Sequence, residues 1–253
     1  MLKNYFVITI RNLYKNPVYS LINNINHATG IVCTILILLC DYDEVSYNKI
    51  LPKNDKQSKV WVNAHFDGKV NSWRSVPLPT YEAMKDADAK IKNTCVIGWG
   101  SNHLLEIPET RITMDGYWVS EEFLEMFEYT LKMGDASTVL DEPNSIVISE
   151  KLAKTLFGEE DPMDKVIKVD DESEVKVTGV LANVPDNSSL EFDFLLPWKL
   201  RAQVQEFVAN NQDNWGNYSF QIFVELEDAK SRASVEENVK NMKDWLWVLS
   251  EKE

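Results

Sequence analysis

The chain has 253 residues, with 40 Asp and Glu against 26 Lys and Arg and a formal net charge of −14. This length is enough to bury a hydrophobic core as one ordinary domain or two small ones. The acidic balance argues against nucleic-acid binding, which requires clustered Lys and Arg to replace phosphate counterions. Three cysteines provide neither a disulfide framework nor the spacing of a zinc site.

The charges are distributed unevenly along the chain. Before Asp41 the charged residues are Lys3, Arg11 and Lys15, with no Asp or Glu. Residues 1–17 are predicted to form an amphipathic helix that lies on the inner leaflet of a membrane with its basic face toward the headgroups. The n-region of a signal sequence is the alternative interpretation of the same residues.

A segment without charged side chains follows, at residues 18–40. As a helix it reaches about 34 Å, enough to cross a hydrocarbon core of about 30 Å. The segment is unusually polar for a span, and its polar side chains need partners in a bundle or a route to the interface. These side chains are Asn23, Asn24, Asn26 and His27. We predict a transmembrane anchor helix at residues 18–42, with a cleaved signal peptide, a lipoprotein signal ending at Cys40 or a buried core helix as alternatives.

The rest of the chain, residues 43–253, has the pattern of an α+β domain with a mixed sheet. Apolar and alternating runs predict strands at residues 59–65, 95–98, 104–107, 112–119, 192–197 and 219–226. Helical spacing predicts helices at residues 80–92, 120–127 and 199–210, with Ser120 as the cap of the second. A last helix is predicted to begin with a capping box at Ser234 and Glu237, and its apolar stripe continues to Leu249.

The most informative stretch is residues 144–185. It predicts a strand at 146–148, an N-cap at Ser149, a two-turn helix ended by Gly158, and two strands at 166–169 and 175–181. Phe157 is expected to be largely buried against the sheet, so that its replacement by Ala costs about 3–5 kcal/mol.

Four segments in this order carry a resemblance to a known family. They are R-N-L-Y-K-N at 11–16, D-G-Y-W-V-S-E-E-F-L-E-M-F at 115–127 with M-G-D at 133–135, N-S-I-V-I-S-E-K-L-A-K-T-L-F-G-E-E-D-P at 144–162, and V-T-G-V-L-A-N-V-P-D-N-S at 177–188. Together they resemble the periplasmic core domain of MacB-type (FtsX-like) ABC transporter permeases, over residues 1 to about 198. The sequence departs from the family at Asp164, where a glycine is usual, and in the polarity of the anchor.

The resemblance implies a membrane-anchored permease subunit, or a truncated permease, in the bacterial inner membrane. Its N-terminus is then cytoplasmic and its main domain periplasmic, where it transmits ATPase-driven movement to a cargo or partner. The implied partners are a cytoplasmic ABC ATPase, membrane lipid and another permease half in a homo- or heterodimer, with no nucleic acid. A stand-alone membrane-anchored extracytoplasmic binding or sensor module without transport is the alternative.

After Cys40 no uncharged run approaches the roughly 20 residues of a further span. We therefore expect the contact with the ATPase to lie in a part missing from this chain. The chain alone is then expected neither to hydrolyse ATP nor to transport.

No motif predicts catalysis, so we expect no catalytic, cofactor-binding or metal-binding residues, no cofactor and no enzymatic activity. There is no nucleotide-binding P-loop, and Ser101 in Gly98–Ser101 lacks a base at a useful spacing. His27, His65 and His103 are isolated, and His65 with Asp67 forms only a weak candidate metal pair. The tryptophans either line a groove or pack in the core: Trp73, Trp99, Trp118 and Trp215.

Overall fold

The structure is a computed structural model that describes residues 2–46, 53–66, 69–184, 188, 190–240 and 246–251. The chain divides into two compact units, Met1–Tyr47 and Asn48–Glu253, here called the anchor unit and the body.

The anchor unit consists of two helices, α1 (Leu2–Lys15) and α2 (Pro17–Ser46). Pro17 occupies the first position of α2, where the missing N–H of proline costs no helical hydrogen bond, so α1 and α2 are separate helices. Within α2, residues Pro17–Tyr42 are long and apolar enough to cross a membrane, and their side chains are not buried by the rest of the unit. The helix extends further than predicted, to Ser46.

The body combines strands and short helices. The strands are β1 (Gln57–Phe66), β2 (Lys69–Trp73), β3 (Ile91–Ile97), β4 (Ser101–Ile107), β5 (Thr110–Val119), β6 (Leu131–Met133), β7 (Ser145–Ser149), β8 (Val166–Val169), β9 (Ser173–Leu181), β10 (Phe194–Pro197), β11 (Gln221–Leu226) and β12 (Leu246–Glu251). The helices are α3 (Thr80–Lys85), α4 (Phe123–Phe127), α5 (Glu150–Phe157), α6 (Trp198–Val204), α7 (Glu206–Ala209) and α8 (Arg232–Val239). The α+β class with a mixed sheet is therefore confirmed.

Six strands close into a ring. β10 pairs antiparallel with β7 and parallel with β5, which joins the two ends of the series β5–β4–β8–β9–β7–β10. Gly116 of β5 lies opposite Phe194 of β10, and a Cβ at residue 116 would come within 2.3 Å of the Phe194 ring. The ring can therefore close at this place only because residue 116 has no side chain.

The other strands of the main series form an antiparallel arm, β3–β11–β1–β12, with β2 paired to β1. The arm joins the ring where Ile97 of β3 pairs with Val119 of β5. The predicted alternation in β11 is confirmed, but both of its faces are buried. Val224 packs in one hydrophobic cluster and Phe223 in a second.

The central stretch folds as predicted. The Ser149 Oγ accepts a hydrogen bond from the Leu152 N–H at 3.1 Å, which caps α5. Gly158 ends the helix with a φ of +63°. Asp164 also has a φ of +63°, the left-handed conformation in which glycine is favoured. Asp adopts this conformation more readily than most residues with a side chain, so the turn tolerates the departure from the family.

Three helix predictions were wrong in extent. α3 ends at Lys85 instead of residue 92, because the Asp88 carboxylate accepts the Lys90 N–H at 2.9 Å and forms a turn before β3. Ser120 does not cap α4, because its Oγ instead accepts the Val96 N–H and donates to the Cys95 Sγ. The predicted helix 199–210 is interrupted at Gln205, which has extended backbone angles.

The end of the chain also differs from its prediction. The Ser234 hydroxyl donates to the Ser231 carbonyl within α8, so there is no capping box. Leu246–Glu251 is a strand paired with β1 and does not continue the helical stripe. Residue 242 of that stripe lies outside the described residues.

Phe157 is partly buried and packs against the first hydrophobic cluster, which also contains Val177 and Val180 of β9. Its ring packs at the edge of the core, and the Lys165 ammonium lies over the ring in a cation–π contact, 4.9 Å from the centroid. It is the last residue of α5 and is more exposed than Leu152 and Leu156, so its truncation is expected to cost less than that of a fully buried side chain.

Candidate functional site

Polar side chains gather in a cleft of about 310 Å³ where β7 and β9 end and β10 begins. We call it the polar cleft, lined by Asp115, Ser149, Lys151, Asn183, Glu191 and Asp193. β7 and β9 are parallel, and the crevice beyond the carboxyl ends of parallel strands is a common ligand site in mixed sheets.

Backbone hydrogen bonds hold the cleft in shape. The Asp193 N–H donates to the Asp115 carbonyl at 2.8 Å, and the Ser149 N–H donates to the Asp193 carbonyl at 2.7 Å. On the opposite wall, the Lys151 N–H donates to the Asn183 Oδ1 at 3.0 Å. The main chain that presents the Asp115 and Asp193 carboxylates is therefore fixed by hydrogen bonds.

The electrostatics of the cleft are unbalanced toward negative charge. Burial raises the pKa of Asp193 above its ordinary value, the Lys151 ammonium opposes this shift, and the Asp115 carboxylate adds to it. Because one ammonium faces three carboxylates in the lining, the cleft has the chemistry to hold a cationic group.

A second cavity, of about 620 Å³, lies at the other end of α5 and is more apolar. Ile107, Leu156, Phe157 and Val166 line it, together with the Glu160–Lys165 ion pair. It lacks the convergence of carboxylates found in the polar cleft.

A hydrogen-bonded series of three side chains lies on the ring. The His103 Nε2 is 2.8 Å from the Ser101 Oγ, and its Nδ1 is 2.5 Å from the Asp170 Oδ2. His103 is buried between the Trp118 and Phe194 rings, both edge-on at centroid distances of 5.6 and 5.8 Å.

The prediction that His103 is isolated and that Ser101 lacks a nearby base was therefore wrong. Residues i and i+2 of a strand share a face, and this spacing was the available signal. Asp170 could not be found in the same way, because it is far away in sequence and reaches His103 through the β4–β8 pairing and a left-handed φ of +53°. Ser101 lines neither cavity, and the series joins β4 to the β8–β9 turn.

The described residues contain no group of three His, Cys, Asp or Glu side chains arranged to hold a metal ion. Asp67 of the weak candidate pair with His65 lies outside these residues. The absence of catalytic, cofactor and metal residues stays a prediction.

The tryptophans do not line one groove. Trp118 is buried in the core, whereas Trp73 and Trp99 are exposed on opposite faces of the arm. Trp73 lies opposite Val62 of the first cluster, while Trp99 covers Lys59, which contacts Phe223 of the second.

Several solved structures have a fold similar to that of this chain. A permease domain from Porphyromonas gingivalis has a TM-score of 0.65 at 21% identity, over 80% of this chain and 93% of that one. The periplasmic region of MacB from Actinobacillus actinomycetemcomitans has a TM-score of 0.54 at 16% identity, over 79% and 91%. The extracellular domain of the ABC-type transporter YknZ from Gram-positive bacteria has a TM-score of 0.54 at 14% identity, over 76% and 98%.

The sequence comparison gives the family. The chain belongs to the MacB-like periplasmic core domain family, whose sequence model matches residues 28–242. The resemblance seen in the sequence is thereby confirmed. This family is a component of transporter permeases. Comparison with curated proteins gives no match.

Proposed function

We propose that the chain is a membrane-anchored permease subunit of a MacB-type ABC transporter, whose periplasmic body transmits ATPase-driven movement to a cargo or partner. The observation that carries this proposal is the extent of the family match. The match begins at residue 28, inside α2, and runs through the body to residue 242, so the second part of the apolar helix and most of the body belong to one family unit.

The proposed topology follows from charge. Residues 1–17 lie on the cytoplasmic leaflet of the bacterial inner membrane, residues 18–42 cross it, and residues 43–253 are periplasmic. Lys3, Arg11 and Lys15 support this orientation, because positive residues flanking a span stay on the cytoplasmic side. The acidic body then faces away from the anionic inner leaflet.

The proposed partners are a cytoplasmic ABC ATPase, the membrane lipid around α1 and α2, and a second permease half. A domain transmits movement only if it is rigid enough not to deform under it. The closed ring and the continuous hydrophobic cores fit this requirement, because close-packed interiors transmit strain.

Cysteine labelling in intact cells tests the topology. Cys33 and Cys40 are replaced by Ala, which leaves only the buried Cys95, and one accessible cysteine is placed at exposed Asn4 or exposed Lys69. A membrane-impermeant maleimide is expected to label Lys69→Cys from outside and Asn4→Cys only after the membrane is opened. Labelling of both from outside would contradict the proposal.

Affinity purification of the full chain from mild detergent tests the partner, with co-purification of an ATPase that has a P-loop as the expected result. The body without residues 1–46 is the control. The chain by itself should show no nucleotide binding in calorimetry.

The polar cleft favours the second candidate, a stand-alone extracytoplasmic binding or sensor module. Under that function, no ATPase co-purifies, and replacing Asp115 and Asp193 by Asn abolishes the response of the cell to a cationic ligand. Retention of ATPase binding in the same double variant would favour the permease.

A further inference from the structure

We propose that one face of the antiparallel arm binds the membrane surface, through the anionic phospholipid headgroups of the periplasmic leaflet. This face is here called the basic patch, and it consists of Lys59, Trp61, Asn63, Ser72, Arg74 and Trp99. The inference rests on the proposed function, because it requires a body that α2 holds at the membrane. It goes further, because it gives the body a lipid-binding surface of its own.

Strand pairing brings the members of the patch together. Asn63 of β1 lies opposite Ser72 of β2, and the Ser72 hydroxyl donates to the Asn63 Oδ1 at 2.5 Å, so the two side chains share a face. Lys59 and Trp61 occupy alternate positions of β1 and therefore lie on the same face as Asn63. The neighbouring valines, at positions 60 and 62, point to the opposite face and are buried in the first hydrophobic cluster.

Each indole ring of the patch has a cation over it. The Lys59 ammonium is 5.6 Å from the centroid of Trp99, and the Arg74 guanidinium is 5.2 Å from that of Trp61. Trp99 is 51% exposed, and its indole N–H donates to the Ser219 carbonyl at 2.9 Å, which holds the ring in place at the surface. Trp beside Lys and Arg is typical of membrane–water interfaces, where the indole lies at the level of the headgroups and the cation meets the phosphates.

The charge of the patch contrasts with that of the body. Residues 41–253 contain all 40 acidic residues of the chain but 23 of its 26 basic ones. β1 and β2, however, contain no Asp or Glu, and they carry Lys59 and Lys69, with Arg74 directly after β2. An acidic body is repelled by an anionic surface, so it approaches one through a basic region such as this patch.

The membrane is the occupant that the chain itself keeps close. α2 continues beyond the candidate span, which ends at Tyr42, to Ser46, and the body begins at Asn48. Because a short tether makes the contact intramolecular, with an effective concentration on the order of millimolar, a patch with few charges is sufficient. A soluble acidic protein would have to bind the same patch without this advantage.

Fluorescence quenching in reconstituted vesicles tests the contact on the full chain. Cys33 and Cys40 are replaced by Ala, and Cys95 is buried. A bimane label is attached at Ser72→Cys in the patch or, as the control, at Thr155→Cys, which is equally classed as exposed but lies on α5. The vesicles contain a phosphatidylcholine with a nitroxide on its headgroup, which quenches fluorophores that touch the headgroup layer.

In phosphatidylcholine vesicles with about 30% phosphatidylglycerol, quenching at residue 72 is expected to be about three-fold that at residue 155. Replacing both Lys59 and Arg74 by Gln should reduce it to the level of residue 155. The variant with Lys154→Gln and Lys176→Gln is matched in charge, and it should keep the quenching, because these exposed lysines lie outside the patch. Salt at about 1 M, where the Debye length is about 3 Å, should also reduce the quenching.

Three results would each overturn the proposal. They are equal quenching at the two positions, equal quenching at residue 72 with and without phosphatidylglycerol, and undiminished quenching in the variant that lacks Lys59 and Arg74. Alkaline carbonate extraction of cell membranes separates this failure from failure of the proposed function. A chain that stays in the membrane without quenching at residue 72 refutes only the lipid contact, and one that is extracted refutes both.

Discussion

The anchor helix and the body use the same apolar residue types in opposite ways. Leu36 and Leu38 of α2 are 56% and 59% exposed, whereas Leu152 of α5 is fully buried. The body removes its apolar side chains from water by its own packing. The anchor unit does not, and its apolar surface has the length and composition of a segment solvated by lipid. One part of the chain is therefore stabilised by its interior, whereas the other leaves its apolar side chains exposed.

The largest effect expected from this difference is in solubility. A fragment that begins at Lys53 should remain in the supernatant after ultracentrifugation and unfold cooperatively, since it keeps the body's hydrophobic clusters. The whole chain should sediment with membranes. Replacing Leu36 by Ala in the whole chain should leave the denaturant midpoint of the body unchanged. Aggregation of the fragment, or a shift of the body's denaturant midpoint in the Leu36→Ala variant, would contradict this difference between the anchor unit and the body.

Within the body, the free energy of unfolding should be most sensitive to substitutions at the place where the ring closes. Gly116→Val puts a side chain into the space of the Phe194 ring and should cost about 3 kcal/mol in the free energy of unfolding. Denaturant melts of the body fragment measure this cost. Gly216→Ala is the control, because its Cβ would meet only the Asn214 Oδ1, at 3.2 Å. A favourable coupling energy between Gly116→Val and Phe194→Leu would confirm that the clash is the cause.

The two ends of the hydrophobic face of α5 should differ in sensitivity. Leu152→Ala should cost about 3 kcal/mol, because Leu152 is fully buried. Phe157→Ala should cost about 1–2 kcal/mol, because its ring is half-buried at the helix end. Equal losses in urea melts would show that the core extends to the end of α5.

The Asp170–His103 hydrogen bond should contribute about 1 kcal/mol, which Asp170→Asn tests. Asn keeps the bond from the Leu104 N–H and tolerates the left-handed backbone. Asp171→Asn is the matched control, because Asp171 also has a left-handed backbone but pairs with the exposed side chains of Lys168 and Arg111. Identical melting curves for the two variants would contradict an anchoring role for His103.

The smallest effect concerns the polar cleft. Because the folded pKa of Asp193 is raised, the folded state binds the proton more tightly than the unfolded state, and stability falls as pH rises from 3.8 through the folded pKa. Asp193→Asn should therefore raise the free energy of unfolding at pH 7 by a few tenths of a kcal/mol after allowance for solvent screening. The gain should shrink toward pH 3. A gain that is independent of pH would have another cause.

The sequence predicted local structure well where local chemistry decides it. Ser149 and Gly158 marked both ends of α5, and the uncharged run marked α2. The sequence-based prediction failed where residues far apart in the chain determine the structure. The residues of β12 have helical apolar spacing, but in the fold they form a strand that pairs with β1. The polar cleft and the His103 contacts were missed for the same reason. Their members come from separate strands, and only the strand order brings them together.

A ring of six paired strands has no outermost member. In an open sheet, a force on the outermost strand can break its hydrogen bonds to its single neighbour one after another. In the ring, each strand is held on both sides, so displacing any one of them must strain two ladders together. The load is shared around the ring before any bond breaks. Displacing one strand of such a ring therefore meets more resistance than displacing the last strand of an open sheet.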